Sequence, residues 1–141
     1  MANKVARMLV TSPHRAGYQP QYIELPIPTN YQDQKLADTL EHIRNDLTID
    51  ITIDELSDKL NMSRSTFTRH FKKHTGLSFN QWLLQHRLSH SQTLLEQSKQ
   101  SIEQIAESAG FKSVVTFRHH FKEKFKVSPS QWRAAFYVTA Q

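Results

Sequence analysis

The chain of 141 residues contains no cysteine and no long apolar run. The absence of cysteine excludes disulfides and thiolate chemistry and is compatible with a reducing compartment. The longest apolar runs, such as Met8 to Val10, are far shorter than the roughly 20 residues that span a bilayer. No charged segment followed by an apolar one resembles a secretion signal. We therefore expect a cytoplasmic location and no membrane partner.

Signatures of catalysis are missing as well. No glycine-rich phosphate loop, paired catalytic carboxylates or activated serine constellation is visible. The eight histidines raise the question of a metal site, since His70/His74 and His86/His90 are each four residues apart on predicted helices, a spacing that can bind zinc. Neither pair has an acidic residue between its members or a third nearby ligand, so packed or surface histidine is the favoured interpretation. We expect no enzyme activity, no cofactor and no metal site.

Proline is scarce except at the start of the chain, where four of the five prolines precede residue 30. Prolines at this density exclude long helices and favour extended backbone. The expected organisation is an extended linker over residues 1–30 and a folded domain over residues 31–141.

The charge is unevenly distributed. Residues 1–60 contain six Lys and Arg against nine Asp and Glu, whereas residues 61–141 contain twelve against four. The net charge therefore changes from −3 in the first part to +8 in the second. A basic block of this size suits a polyanion, although charge alone does not separate DNA from RNA or an acidic membrane.

Helix starts are clearly marked after residue 30. Capping boxes occur at Thr52/Glu55, Ser78/Gln81, Ser101/Gln104 and Ser128/Gln131. Ser63 and Ser113 are N-cap candidates for two further helices. Together with apolar residues at helical spacing, these signals predict seven helices and no credible strand pair. The predicted helices cover about 33–46, 53–60, 64–75, 79–97, 102–109, 114–125 and 129–137.

The strongest signal is an internal repeat. IDELS at 53–57 matches IEQIA at 102–106 at an offset of 49, and Phe67 and Phe71 match Phe117 and Phe121 at an offset of 50. Each copy predicts a short helix, a tight turn and a longer helix, which is the helix-turn-helix pattern. The predicted fold is all-α, with homeodomain-like three-helix units. Its helix-turn-helix subdomains, about 52–76 and 101–126, are joined by a long central helix at about 79–97.

The second helix of each copy has a basic face opposite its phenylalanines. A rotation of about 100° per residue turns these side chains outward: Ser65, Thr68, Arg69, Lys72 and Lys73 in the first copy, and Val115, Arg118, His119 and Lys122 in the second. Such a face suits a helix in the major groove of DNA, where side chains reach base edges and phosphates.

The central helix supports paired docking. Its predicted 19 residues span about 28 Å, close to the roughly 34 Å between successive major grooves. The predicted function is sequence-specific binding of double-stranded DNA with two recognition helices in successive major grooves. A protein-interaction module is the main alternative, and a small metalloenzyme is a third.

The two copies resemble the AraC/XylS family of bacterial transcription regulators, and the second copy is the more diagnostic. The likeness covers residues 33–136 and includes IA at 105–106, GF at 110–111, FRHHFK at 117–122 and VSPSQWR at 127–133. It implies two helix-turn-helix subdomains, transcription regulation, and double-stranded DNA and RNA polymerase as partners. The family's base-reading positions correspond to Arg64, Ser65, Thr68, Arg69, Val114, Val115, Arg118 and His119. Polar residues often occupy the positions of the two valines in that family.

A second resemblance lies at the start of the chain. VARMLV at 5–10, PHRAG at 13–17 and QPQY at 19–22 are similar to the junction in regulators with an upstream PfpI/amidotransferase-like domain. The resemblance implies that the full-length protein carries an N-terminal effector domain that is missing here. The alternative is a complete small regulator with a proline-rich leader.

Overall fold

A computed structural model of the chain describes residues 31–137. These residues form seven helices and no strand, which confirms the all-α prediction. The helices are α1 (Tyr31–Asn45), α2 (Ile53–Lys59), α3 (Arg64–Thr75), α4 (Phe79–Gln97), α5 (Ile102–Ser108), α6 (Val114–Phe125) and α7 (Pro129–Phe136). The predicted bounds agree with these to within two residues. The extended linker predicted for residues 1–30 lies outside the described residues.

The helices begin at the capping residues that the sequence marks. At the start of α2, the Thr52 side chain accepts from the Glu55 backbone, and the Glu55 carboxylate accepts from the Thr52 backbone. The same reciprocal pairs occur at Ser78/Gln81, Ser101/Gln104 and Ser128/Gln131. Ser63 and Ser113 cap α3 and α6 through their hydroxyls. Each cap satisfies backbone donors that the helix leaves unpaired and stabilises the protein by about 1 kcal/mol.

The described residues separate into two compact units within α4. The first unit ends at His86, and the second begins at Arg87. Helix α4 therefore contributes residues 79–86 to the first unit and residues 87–97 to the second.

The core of the first unit is built from α1 to α3 and the start of α4. Leu36, Leu40 and Ile43 form one buried face of α1. The cluster that they join is completed by Leu47, Leu56, Leu60, Phe67, Phe71, Phe79, Trp82 and Leu83. Full burial of such a side chain contributes roughly 1.5–3 kcal/mol, so this cluster fixes the rotation of α3 about its axis.

The second part of α4 repeats the role of α1. The buried positions of α1 are Leu36, Thr39, Leu40 and Ile43, and the equivalent buried positions in the second part of α4 are Leu88, Ser91, Gln92 and Leu95. Both sets follow the same i, i+3, i+4, i+7 spacing, at an offset of 52. Each unit therefore holds a three-helix set, as the homeodomain-like prediction requires. This part of the repeat is hard to detect in the sequence because the two middle positions carry polar residues in α4.

Helix α7 closes the core of the second unit. Trp132 is buried, and its ring contacts Phe121, Phe125 and Phe136. Arg133, next along α7, donates to the backbone carbonyls of Leu95 and Ser98. These hydrogen bonds satisfy carbonyl groups at the end of α4, where the helix itself supplies no partner.

Candidate nucleic-acid interface

Both helix-turn-helix turns close in the same way. In the first unit Asn61 has a φ of 56°, and in the second Gly110 has a φ of 93°. Both are residue types that tolerate the left-handed region. The backbone N–H of Met62 donates to Ser57, and that of Phe111 donates to Ala106, each at 2.9 Å. The two turns therefore direct α3 and α6 away from α2 and α5 through equivalent bonds.

The phenylalanines set which face of α3 is exposed. Phe67 and Phe71 are buried against the core. The residues predicted to contact DNA on this helix are all exposed, namely Arg64, Ser65, Thr68, Arg69, Lys72 and Lys73. The α3 segment contains no acidic residue, so its open face is uniformly basic or neutral.

Helix α6 presents a more mixed face. With Phe117 and Phe121 buried, the structure exposes Val115, Arg118, His119 and Lys122. Val115 is 72% exposed, so this face of α6 carries an apolar side chain among its polar ones. Val114 is only half-buried, so it is less accessible than the equivalent Arg64.

An acidic residue breaks the basic surface of α6. The Glu123 carboxylate lies 3.3 Å from His119 Nε2, one turn away on the same helix. Both side chains are about 70% exposed. Burial lowers the pKa of Lys124, which is half-buried and does not belong to the open face. The second unit therefore offers less net positive charge to a polyanion than the number of its basic residues indicates.

In each helix-turn-helix, an arginine on the helix after the turn pairs with an acid on the helix before it. Arg64 Nη1 of α3 lies 3.4 Å from Asp54 Oδ1 of α2, and Arg118 Nη2 of α6 lies 3.4 Å from Glu103 Oε2 of α5. The two acids are equivalent in the repeat, whereas the two arginines are not. Both pairs are largely exposed, and exposed pairs contribute about 0–1 kcal/mol. The arginines can therefore exchange these partners for phosphates or bases at little cost.

The histidines of the two helical pairs differ in their surroundings. The prediction that no third ligand lies near His70 and His74 is wrong, because the fold brings Asp33 of α1 beside them. His86 instead packs against Trp82, with ring centroids 4.3 Å apart. Burial, with a smaller contribution from the Arg44 charge, lowers the pKa of His86 to about 4. The sequence could not reveal Asp33, which is 37 residues from His70.

Among the described residues, no helix is both long and apolar enough to cross a membrane.

A model of the helix-turn-helix domain family matches residues 56–135. The Msm operon regulatory protein of Streptococcus mutans is 41% identical over 83 residues, which cover 59% of this chain and 30% of that protein. The chain spans less than half the length of the curated relatives it matches.

Solved structures give the same assignment. The DNA-binding domain of AdpA, crystallised with a target DNA, is 36% identical with a TM-score of 0.68. The match covers 72% of this chain and 91% of that one. An AraC-type regulator from Chromobacterium violaceum is 27% identical with a TM-score of 0.63, covering 72% and 90% of the two chains. With its two helix-turn-helix units and these similarities, the chain belongs to the AraC/XylS family of transcription regulators.

Proposed function

We propose that this chain binds double-stranded DNA sequence-specifically and regulates transcription, with α3 and α6 in successive major grooves. The observation that carries the proposal is the pair of equivalent helix-turn-helix units, each with an exposed second helix. The similar AdpA domain was crystallised with target DNA, which supports the same activity here.

The first unit is proposed to supply most of the charge-dependent affinity. Arg69 is exposed in the middle of α3, where a guanidinium can pair with guanine in two hydrogen bonds. Lys72 and Lys73 lie in the last turn and suit phosphate contacts. The Thr68 hydroxyl donates to the Arg64 carbonyl at 2.9 Å, which leaves its methyl group for contact with a thymine methyl.

The second unit is proposed to read DNA with more apolar contacts. Val115 offers an exposed isopropyl group, which suits a thymine methyl and forms no hydrogen bond. Arg118, His119 and Lys122 border it on the exposed face. Because Glu123 pairs with His119, phosphate attraction is weaker here than on α3. Specificity at this half-site should therefore depend on thymine position more than on guanine.

The experiment is selection of bound sites from random DNA, followed by affinity measurements with Arg69→Ala and Lys72→Ala. Arg69→Ala should lose about 1–3 kcal/mol on the selected site and relax preference at one base pair. Lys72→Ala should weaken all sequences alike and lower the salt slope by about one. Lys99→Ala, an exposed residue between α4 and α5, is the matched charge control and should change neither.

Two results together would contradict DNA binding. If no sequence is enriched, and binding does not weaken between two salt concentrations, the chain is not a DNA reader. A protein-interaction module would then be the better assignment.

Three wider features are part of the same proposal. We propose RNA polymerase as a partner, an effector-sensing domain ahead of the described helices, and action in the cytoplasm. The resemblance of residues 5–22 to a domain junction supports the second of these. Transcription in vitro from a promoter carrying the selected site tests the first. Sequencing the gene ahead of the segment that encodes this chain, and searching it for a PfpI-like domain, tests the proposed effector-sensing domain.

A further inference from the structure

Three potential metal ligands converge in the first unit, away from the exposed face of α3. Asp33 lies in the first turn of α1, and His70 and His74 lie one turn apart on α3. Each offers a ligand atom within 4.8 Å of the others. Among the residues that the structure describes, no other group of three such side chains meets this distance. All three side chains are half-buried.

The distances suit a small tetrahedral cation. Nitrogen and oxygen ligands lie about 2.0–2.2 Å from zinc, so two of them in a tetrahedron are about 3.3–3.6 Å apart. His70 Nε2 and Asp33 Oδ1 are already 3.1 Å apart. The two imidazole rings, with centroids 4.2 Å apart, lie on one helix face at the spacing typical of chelating histidines. Small side-chain rotations would bring all three atoms to one ion.

The hydrogen bond between His70 and Asp33 explains only part of this arrangement. It accounts for Asp33 and His70 but gives no polar role to His74, which is half-buried beside them. A cation would use both imidazoles in their neutral form and the carboxylate as a third ligand. Magnesium and calcium prefer sites made only of oxygen, whereas two imidazoles favour zinc and its neighbours.

We propose that Asp33, His70 and His74 bind one divalent transition-metal ion of the zinc type and thereby fasten α1 to α3. Three protein ligands leave a fourth position for water. This proposal does not depend on DNA binding, and it replaces the expectation that the chain has no metal site.

The His86/His90 pair is an internal control. It has the same spacing on α4, but it belongs to no group of three ligands within the described residues. The His86 ring also packs against Trp82, with ring centroids 4.3 Å apart. Loss of the exposed His90 should therefore leave metal binding unchanged.

The test is calorimetric titration of the full chain with Zn²⁺, for wild type, Asp33→Asn, His74→Gln and His90→Gln. Wild type and His90→Gln should bind one ion per chain with affinities within about twofold of each other. Asp33→Asn and His74→Gln should each weaken binding at least about 10-fold. Saturating Zn²⁺ should raise the melting temperature of wild type by roughly 5 °C or more, and that of the two ligand variants much less.

Circular dichroism of each variant separates loss of a ligand from loss of the fold. The Asp33→Asn variant retains a hydrogen-bond acceptor at this position. If it nevertheless unfolds, the Zn²⁺ affinity of His74→Gln alone tests the proposal. Co²⁺ in place of Zn²⁺ should give the visible absorption of a tetrahedral nitrogen and oxygen site in wild type and not in the two ligand variants. Equal Zn²⁺ affinity in wild type and His74→Gln, or a loss of binding in His90→Gln, would overturn the proposal.

Discussion

The indole Nε1–H of Trp132 donates a hydrogen bond of 2.9 Å to the buried carboxylate of Glu96. This bond joins α7 to α4 inside the second unit. At the offset of 52 that relates α1 to the second part of α4, the position of Glu96 corresponds to Arg44 in the first unit. Arg44 is exposed and pairs with Glu41. Among the residues that the structure describes, Glu96 is thus the one buried acid, and it belongs to the second unit.

We expect Glu96→Ala to lower the free energy of unfolding by about 1–3 kcal/mol, because the indole N–H would lose its acceptor. Glu96→Gln retains an acceptor oxygen and should cost less. Urea denaturation measures both, with Glu107→Ala as a control at an exposed position of α5. Equal losses in the Ala and Gln variants would show that the carboxylate acts through its charge.

The C-cap of α6 is a second point of difference between the units. Lys126 ends α6 in the left-handed region with a φ of 69°, where the first unit has Gly76 with a φ of 78°. A residue with a Cβ is strained there by roughly 1 kcal/mol. Lys126→Gly should therefore stabilise the protein by about 0.5–1 kcal/mol, less any contribution from the exposed bond of its side chain to the Glu123 carbonyl.

Thermal unfolding tests this prediction, with Gly76→Ala as the reverse substitution. The glycine variant should melt at a higher temperature and the alanine variant at a lower one. A lower melting temperature for Lys126→Gly would show that the side-chain bond outweighs the strain.

Local signals explain why so much of the fold could be predicted. The caps at Thr52 and Ser101 act within four residues, so sequence alone locates the helix starts. The rotation of α3 follows from Phe67 and Phe71 in the same way. For this reason the sequence alone could predict the fold class, the helix bounds and the exposed faces of α3 and α6.

What depends on tertiary packing could not be predicted. Asp33 reaches His70 only because α1 packs beside α3, and no periodicity in either helix encodes that contact. Lys126 gives no sign of a left-handed cap, since lysine rarely occupies that region. The half-burial of Val114 depends on its surroundings in the second unit in the same way.

The depressed pKa of His86 predicts how stability changes with pH. The folded ring has a pKa of about 4, against 6.5 for the ordinary group. As the pH falls below about 6.5 the unfolded state takes up a proton first, so stability falls between about pH 6.5 and pH 4. With allowance for partial exposure of the ring, the loss should be about 1–2 kcal/mol.

His86→Gln removes this titration. Urea denaturation at pH 7 and pH 4.5 should show a smaller decrease in the variant than in wild type. Other groups titrate in both proteins and cancel in the comparison. The same decrease in both proteins would show that the His86 ring is solvated when folded.

We expect Glu123 to limit the attraction of α6 for DNA. Glu123→Gln removes a negative charge beside His119 and should increase affinity for the selected site about two- to fivefold at low salt. Asp38→Asn, on the exposed side of α1, makes the same change of net charge on a helix with no predicted DNA contact. An equal increase in both variants would show a general effect of net charge and would exclude a contact of this face with DNA.

The central claim is that both α3 and α6 enter the major groove, and methylation interference on the selected site tests it most directly. Wild type should show two sets of interfering major-groove positions, centred about 10–10.5 base pairs apart. Arg69→Ala should weaken the first set and Arg118→Ala the second. A single set in wild type, or loss of the same set in both variants, would contradict the assignment of two recognition helices.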